Sequence, residues 1–236
     1  MHAPLCIYSC YRAYMDDTLY PMSLGLNYSC RKNIEEFMLT YLKIKECQVP
    51  DMCLNLYREH GTTMAGLKAL GYDFDNDAFH AFVHGTLPYH LLKPDLVLRN
   101  LLLSMPQRKI VSCFETLNTQ EGKVVEDVQG GIISPTRIVC KPAPESFQTA
   151  TIIANLDPKK TIFFDDSVRN IATAKAAGFH TVIVGRSSLV AGADHALNSI
   201  HNMREALPQV WEDDYEGEHL EQVLIQSVVV ETVVNA

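Results

Sequence analysis

Thr161-Ile162-Phe163-Phe164-Asp165-Asp166-Ser167 decides the reading of this chain. Four residues of strand-forming character end in two adjacent acids, where a helix-like segment begins. In a parallel α/β fold, ligands bind at the carboxyl ends of strands. Two carboxylates there suit a hard cation such as Mg²⁺, which takes one or two protein acids and shares substrate oxygens. The plainer alternative is a strand-to-helix turn in which Asp166 or Ser167 serves only as an N-cap.

Outward from this stretch, strand candidates at 109–116, 137–140 and 181–184 alternate with helical segments at 145–155 and 168–177. This alternation predicts βαβ units and a parallel sheet. A further helix is expected from about Pro94 to Ser104, and a short strand over 5–15 leads into Asp16-Asp17-Thr18. Between them the pattern is wholly helical. Ile34, Phe37, Met38, Tyr41 and Leu42 repeat at helical spacing, and Asn33 with Glu36 has capping-box spacing. Pro50 and Gly61 bracket a second helix, Thr62 to Leu70 forms a third, and Asp75 to His84 a fourth. The expected design is an α/β core, a Rossmann-like parallel sheet over residues 1–21 and 91–236, with an inserted helical cap at 22–90.

Composition narrows the class. Of 236 residues, 47% are hydrophobic and 20% charged, which describes an ordinary soluble globular protein. The net charge of −8, without a basic block, argues against nucleic acid or an anionic membrane as partner. No apolar run approaches the ~20 residues needed to span a bilayer. The seven cysteines lack CxxC spacing, and so are expected as free thiols in a reducing compartment. His80 and His84, at i and i+4, are expected on a helix surface. The first fifteen residues make a poor signal peptide, so a cytoplasmic protein is the expectation. Oligomeric state has no signal in the sequence.

Asp16 with Thr18, Lys141, and Asp165 with Asp166 are the groups that such a topology brings to one sheet edge. Acids for a metal and a lysine for an anion describe phosphoryl transfer, where positioning and charge neutralisation dominate. A lone lysine at a strand end is ordinarily a surface residue.

The motifs "DDTLYP" (16–21), "HGTTMAGL" (60–67), "VHGTLPYHLLKPD" (83–95), "CKP" (140–142) and "FFDDSVRNI" (163–171) together resemble the haloacid dehalogenase superfamily. Within it they look most like plant and yeast pyrimidine 5'-nucleotidase-like phosphatases. The resemblance implies Mg²⁺-dependent hydrolysis of a small phosphorylated metabolite through an aspartyl-phosphate. By position it makes Asp16 the general acid/base and a metal ligand, Thr18 a substrate-binding residue, Lys141 the catalytic, phosphoryl-steadying lysine, and Asp165 and Asp166 metal ligands.

Two departures qualify it. The family motif is Asp-x-Asp-x-Thr, which puts Tyr14 where the nucleophilic aspartate belongs. A phenol, with a pKa of about 10, does not replace a carboxylate as acceptor and metal ligand. Arg12 also places a charge in a strand that should be buried on both faces. The second departure is at Arg108–Asn118, where "RKIVS" runs directly into "CFETLN" without the usual strand end and crossover, a loss of roughly one βαβ unit. Abrupt changes beside close matches have the pattern of altered exon use or an incorrect gene model. The expectation is therefore a phosphatase-like chain with impaired catalysis. The alternative is a non-catalytic phosphate- or metal-binding protein. A third reading makes Asp16 the nucleophile after a two-residue slip of strand one, which displaces the strand end by ~6.6 Å.

Overall fold

The computed structural model describes residues 5–6, 18–110 and 140–211. The sheet has four parallel strands in the order β1 (Leu5–Cys6), β2 (Ile162–Asp165), β3 (His180–Val184) and β4 (His195–Leu197). In register, Leu5 and Cys6 stand against Ile162 and Phe163, and Phe163, Phe164 and Asp165 stand against Thr181, Val182 and Ile183. The strand period of two sends successive side chains of β2 to opposite faces. Phe164, Val182 and Val184 join Leu98, Met105, Leu197 and Met203 in one apolar layer. Phe163 and Ile183 join Phe147, Ala150, Ile171 and Phe179 in the other. Helices α6 (Pro144–Ile153) and α7 (Val168–Ala176) supply the second layer, whereas α5 (Leu96–Leu103) and the short α8 (Met203–Ala206) supply the first.

Residues 22–90 build their own apolar cluster from α1 (Leu26–Thr40), α2 (Val49–His60), α3 (Thr63–Ala69) and α4 (Asn76–Val83). At its centre the Phe37 ring stacks on Tyr41 at 4.7 Å and meets Phe79 edge-on at 4.9 Å. Phe74 and Phe82 close the same group at 5.5 and 5.8 Å from Phe37. Side-chain caps start α3, α4, α5 and α7: Thr62 accepts from the Ala65 amide, Asp75 from Ala78, Asp95 from Leu98 and Ser167 from Asn170.

Several expectations change. Helix α1 starts seven residues before Asn33, after Gly25 in the left-handed conformation at φ 74°. Asn33 is therefore interior to the helix, and its amide donates across the bundle to the Val83 carbonyl at 2.8 Å and to Thr86 Oγ1 at 2.9 Å. His80 and His84 are buried, not on a surface; their rings stack at 5.4 Å and His84 Nδ1 lies 3.8 Å from Cys30 Sγ. The two positions fall on the inward face of α4, whose apolar residues Phe79 and Val83 they flank. Lys109, Ile110 and Cys140 have no strand geometry, and the rest of the strand candidates 109–116 and 137–140 lies outside the described residues, as do 7–17. Among the described cysteines, Cys30, Cys47, Cys53 and Cys140 are free thiols. No helix among the described residues is long and apolar enough to cross a membrane.

Candidate functional site

Asp165 is the last residue of β2 and is buried, with only 3% of its surface exposed. The strand alternation puts it on the same face as Phe163, beneath the start of α7. Its Oδ2 accepts from Lys141 Nζ at 2.7 Å. Its Oδ1 accepts from the Ser167 amide and from Asn170 Nδ2, both at 2.9 Å. A buried carboxylate needs this degree of compensation, because desolvation would otherwise neutralise it.

Lys141 arrives from the other side. It occupies the turn between Cys140 and α6, and its Nζ stands 5.6 Å from the centroid of the Phe163 ring. The side chain is 14% exposed, so the plainer alternative of an ordinary surface lysine does not describe it. Ser167 is the N-cap of α7, accepting from the Asn170 amide at 3.5 Å, so the plain turn role and the carboxylate cluster coexist.

Asp166 follows Asp165 at the same sheet edge and is half-buried. Thr18 is buried, and among the described residues no hydrogen bond joins it to Lys141 or Asp165. Asp16, Tyr14 and Arg12 lie outside the described residues, as does the junction after Ile110. The structure thus brings Lys141 and Asp165 together with Asp166 adjacent. Among the described residues, no group of three or more His, Cys, Asp or Glu is placed to hold a metal ion. The carboxylates of Asp165 and Asp166 are the oxygen donors that suit Mg²⁺, which is commonly held by one or two carboxylates, with waters and substrate phosphates completing its shell.

Sequence reasoning missed two contributors. Asn170 sits in the first turn of α7, five residues after Asp165, and its position in "FFDDSVRNI" was the available signal. Gly61 packs its backbone on the lysine turn: a Cβ built on it would stand 2.5 Å from the Lys141 carbonyl oxygen.

No protein-family model matches the chain. Phosphate metabolism protein 8 of Saccharomyces cerevisiae is 25% identical over 190 residues, which is 72% of this chain and 59% of that protein. The chain therefore spans about three fifths of that curated relative. A hydrolase from Pseudomonas syringae superposes with a TM-score of 0.53 at 13% identity, over 89% of this chain and 99% of that one. A haloacid dehalogenase-type phosphatase from Thermococcus onnurineus gives 0.49 at 14% identity, over 87% and 97%. The superposition on the Pseudomonas syringae hydrolase shows the fold alone: a Rossmann-type parallel sheet, with the expected α/β class.

Proposed function

We propose that this chain is a phosphatase-like protein for small phosphorylated metabolites, nucleoside monophosphates among them, in which residues 22–90 form a cap over the sheet edge and hydrolysis is impaired. The observation that carries this reading is the buried Lys141–Asp165 pair at the carboxyl end of β2, with Asp166 beside it. A fixed ammonium at that edge offers an anion a point charge, the way lysines serve phosphate sites. Similarity to the yeast phosphate metabolism protein supports a phosphate ester as ligand.

Asp165 and Asp166 would hold Mg²⁺, with Asp16 as a further ligand, and the ion would supply charge neutralisation for phosphoryl oxygens. Lys141 holds the anion and is itself held by Asp165. Thr18 is proposed to bind substrate, and Asp16 to act as general acid/base. A cytoplasmic setting is proposed with these roles, in keeping with the free thiols.

Tyr14 at the nucleophile position supports impairment, and it also favours the second reading, a non-catalytic protein that binds phosphate or metal. Loss of a nucleophile costs as much as ~10⁶ in rate when catalytic residues act as a unit. The test is Mg²⁺-dependent phosphate release from nucleoside monophosphates and an aryl phosphate, for the parent chain, Tyr14→Asp and Asp165→Ala. Negligible release by the parent and by Tyr14→Asp is expected, with Mg²⁺ binding by calorimetry that collapses in Asp165→Ala. Release by the parent that disappears in Asp165→Ala would overturn impairment and return Asp16 as the nucleophile. Equal Mg²⁺ binding before and after Asp165→Ala would remove the metal assignment.

A further inference from the structure

The last four carbonyls of an α-helix have no partner within the helix. In α2, two of these four are satisfied from the α/β core. Arg169 Nη1 donates to the Arg58 carbonyl at 2.8 Å, and Cys140 Sγ donates to the His60 carbonyl at 3.4 Å. The Arg169 guanidinium also lies 4.9 Å from the centroid of the Tyr57 ring. A cation at this end of α2 meets the negative pole of the helix, and the planar guanidinium both stacks and donates.

Just past the helix, Gly61 has φ 85° and leaves no room for a side chain. A Cβ would come within 2.5 Å of the Lys141 carbonyl oxygen and 3.1 Å of both Cys140 Sγ and Pro142 Cδ. A left-handed glycine therefore allows two backbones to meet at the lysine turn.

These contacts touch both sides of the ion pair. Arg169 neighbours Asn170, which holds Asp165, and Cys140 neighbours Lys141. We propose that Arg169, acting through α2, is a positioning residue for Lys141: it clamps the end of α2 onto the 140–142 turn, and Gly61 sets how closely that turn is approached. Docking of the helical bundle and placement of the lysine are then one event. When α2 lifts, the Cys140 and Lys141 backbone loses its support, and the ammonium becomes freer of Asp165. This goes beyond the phosphoester reading and does not depend on it.

The test uses the full chain and the reactivity of lysine amines. Acetic anhydride labelling, followed by mass spectrometry of peptides cut at acidic residues, gives a rate for Lys141 relative to Lys175 and Lys68. Arg169→Ala is expected to raise the Lys141 rate about tenfold, the opening expected when one charge-assisted hydrogen bond is lost. Lys175 and Lys68 should keep their parent rates. Tyr57→Leu should raise the Lys141 rate in the same direction, whereas Tyr57→Phe, which keeps the ring face, should hold the parent value. Gly61→Ala approaches the same turn from α2 and should also expose Lys141. An unchanged Lys141 rate in both Arg169→Ala and Gly61→Ala overturns the proposal. So does a rise shared equally by Lys175 and Lys68, because that reports loss of fold and no local clamp.

Discussion

Replacing Lys141 with methionine and Asp165 with asparagine, singly and together, should give unequal single losses and a large coupling. Both side chains are mostly buried, with 14% of the lysine and 5% of the aspartate side chain exposed. Their environments differ. Without Lys141, the Asp165 carboxylate keeps the Ser167 amide and Asn170 Nδ2 as donors. Lys141→Met is therefore expected to cost about 1–3 kcal/mol, the range for losing one partner of a charged group that stays otherwise compensated. Without the carboxylate, the Lys141 ammonium keeps, among the described residues, the Phe163 ring face near it, 5.6 Å from the centroid. Asp165→Asn should then cost about 3–5 kcal/mol, as for a buried ion left uncompensated. The double variant removes both buried charges and should cost clearly less than the sum, by more than about 1.5 kcal/mol. Trp211 is the single tryptophan and packs against the Leu98–Met203 layer, with its Nε1 on Ser104 Oγ at 2.9 Å. Urea unfolding followed by its fluorescence reports this layer of the core. At an m-value of about 3 kcal/mol per M, a loss of about 3 kcal/mol moves the midpoint by about 1 M. Equal single losses with a coupling below about 0.5 kcal/mol would mean a solvated surface pair and would refute the reasoning.

Phe163 is fully buried, with Phe147 and Phe179 at 5.4 and 6.3 Å, so Phe163→Ala should lose about 3–5 kcal/mol and show a much lower melting temperature. An unchanged melt would contradict the packing. Asp194 offers a pH test. Burial pulls its pKa up, but hydrogen bonds from Lys175 and from the Thr181 amide outweigh this and leave the carboxyl below its usual range. A group with a lowered folded pKa stabilises above its unfolded pKa, and that contribution fades as pH falls through the folded value. Asp194→Asn should accordingly be less stable near neutrality and flatter in the acid range; parallel pH profiles would rule the linkage out. Among the described cysteines, the exposed Cys47 should react first with an aromatic disulfide. Burial pushes the Cys53 thiol up, so Cys53 should react only after denaturation, as peptide mapping would reveal.

Most of the helices were legible because their signals are local. Helices α4 and α5 start one and two residues after the expected Asp75 and Pro94, behind the Asp75 and Asp95 caps, and Gly61 follows the end of α2. The start of α1 was not legible from Asn33 and Glu36, since capping-box spacing also occurs inside helices and only the fold shows Asn33 reaching Val83. β4 has three residues, too few for a period to register, and it joins the sheet through pairing with Val182, Ile183 and Val184. The burial of His80 and His84 depends on which face of α4 meets α1, a tertiary fact. For the site, Asp165 and Lys141 were legible as residue types at strand ends. Their direct contact, and the parts played by Asn170 and Gly61, follow from pairings 24, 5 and 80 residues apart: Lys141 with Asp165, Asn170 with Asp165, and Cys140 with the His60 carbonyl beside Gly61.

The site carboxylate is placed by the same alternation that builds the two apolar layers. Phe164 must face the α5 and α8 side and Phe163 the α6 and α7 side, since each is fully buried among different partners. A period of two then gives Asp165 the face of Phe163. That face carries Asn170 on α7 and the turn before α6, from which Lys141 reaches over the Phe163 ring to meet the carboxylate. A one-residue slip of β2 would exchange Phe163 with Phe164 and turn Asp165 toward the opposite layer, away from all three of its donors. The register that maximises burial is therefore the register that assembles the pair, and the chemistry at the strand end is anchored by packing on both sides of the sheet.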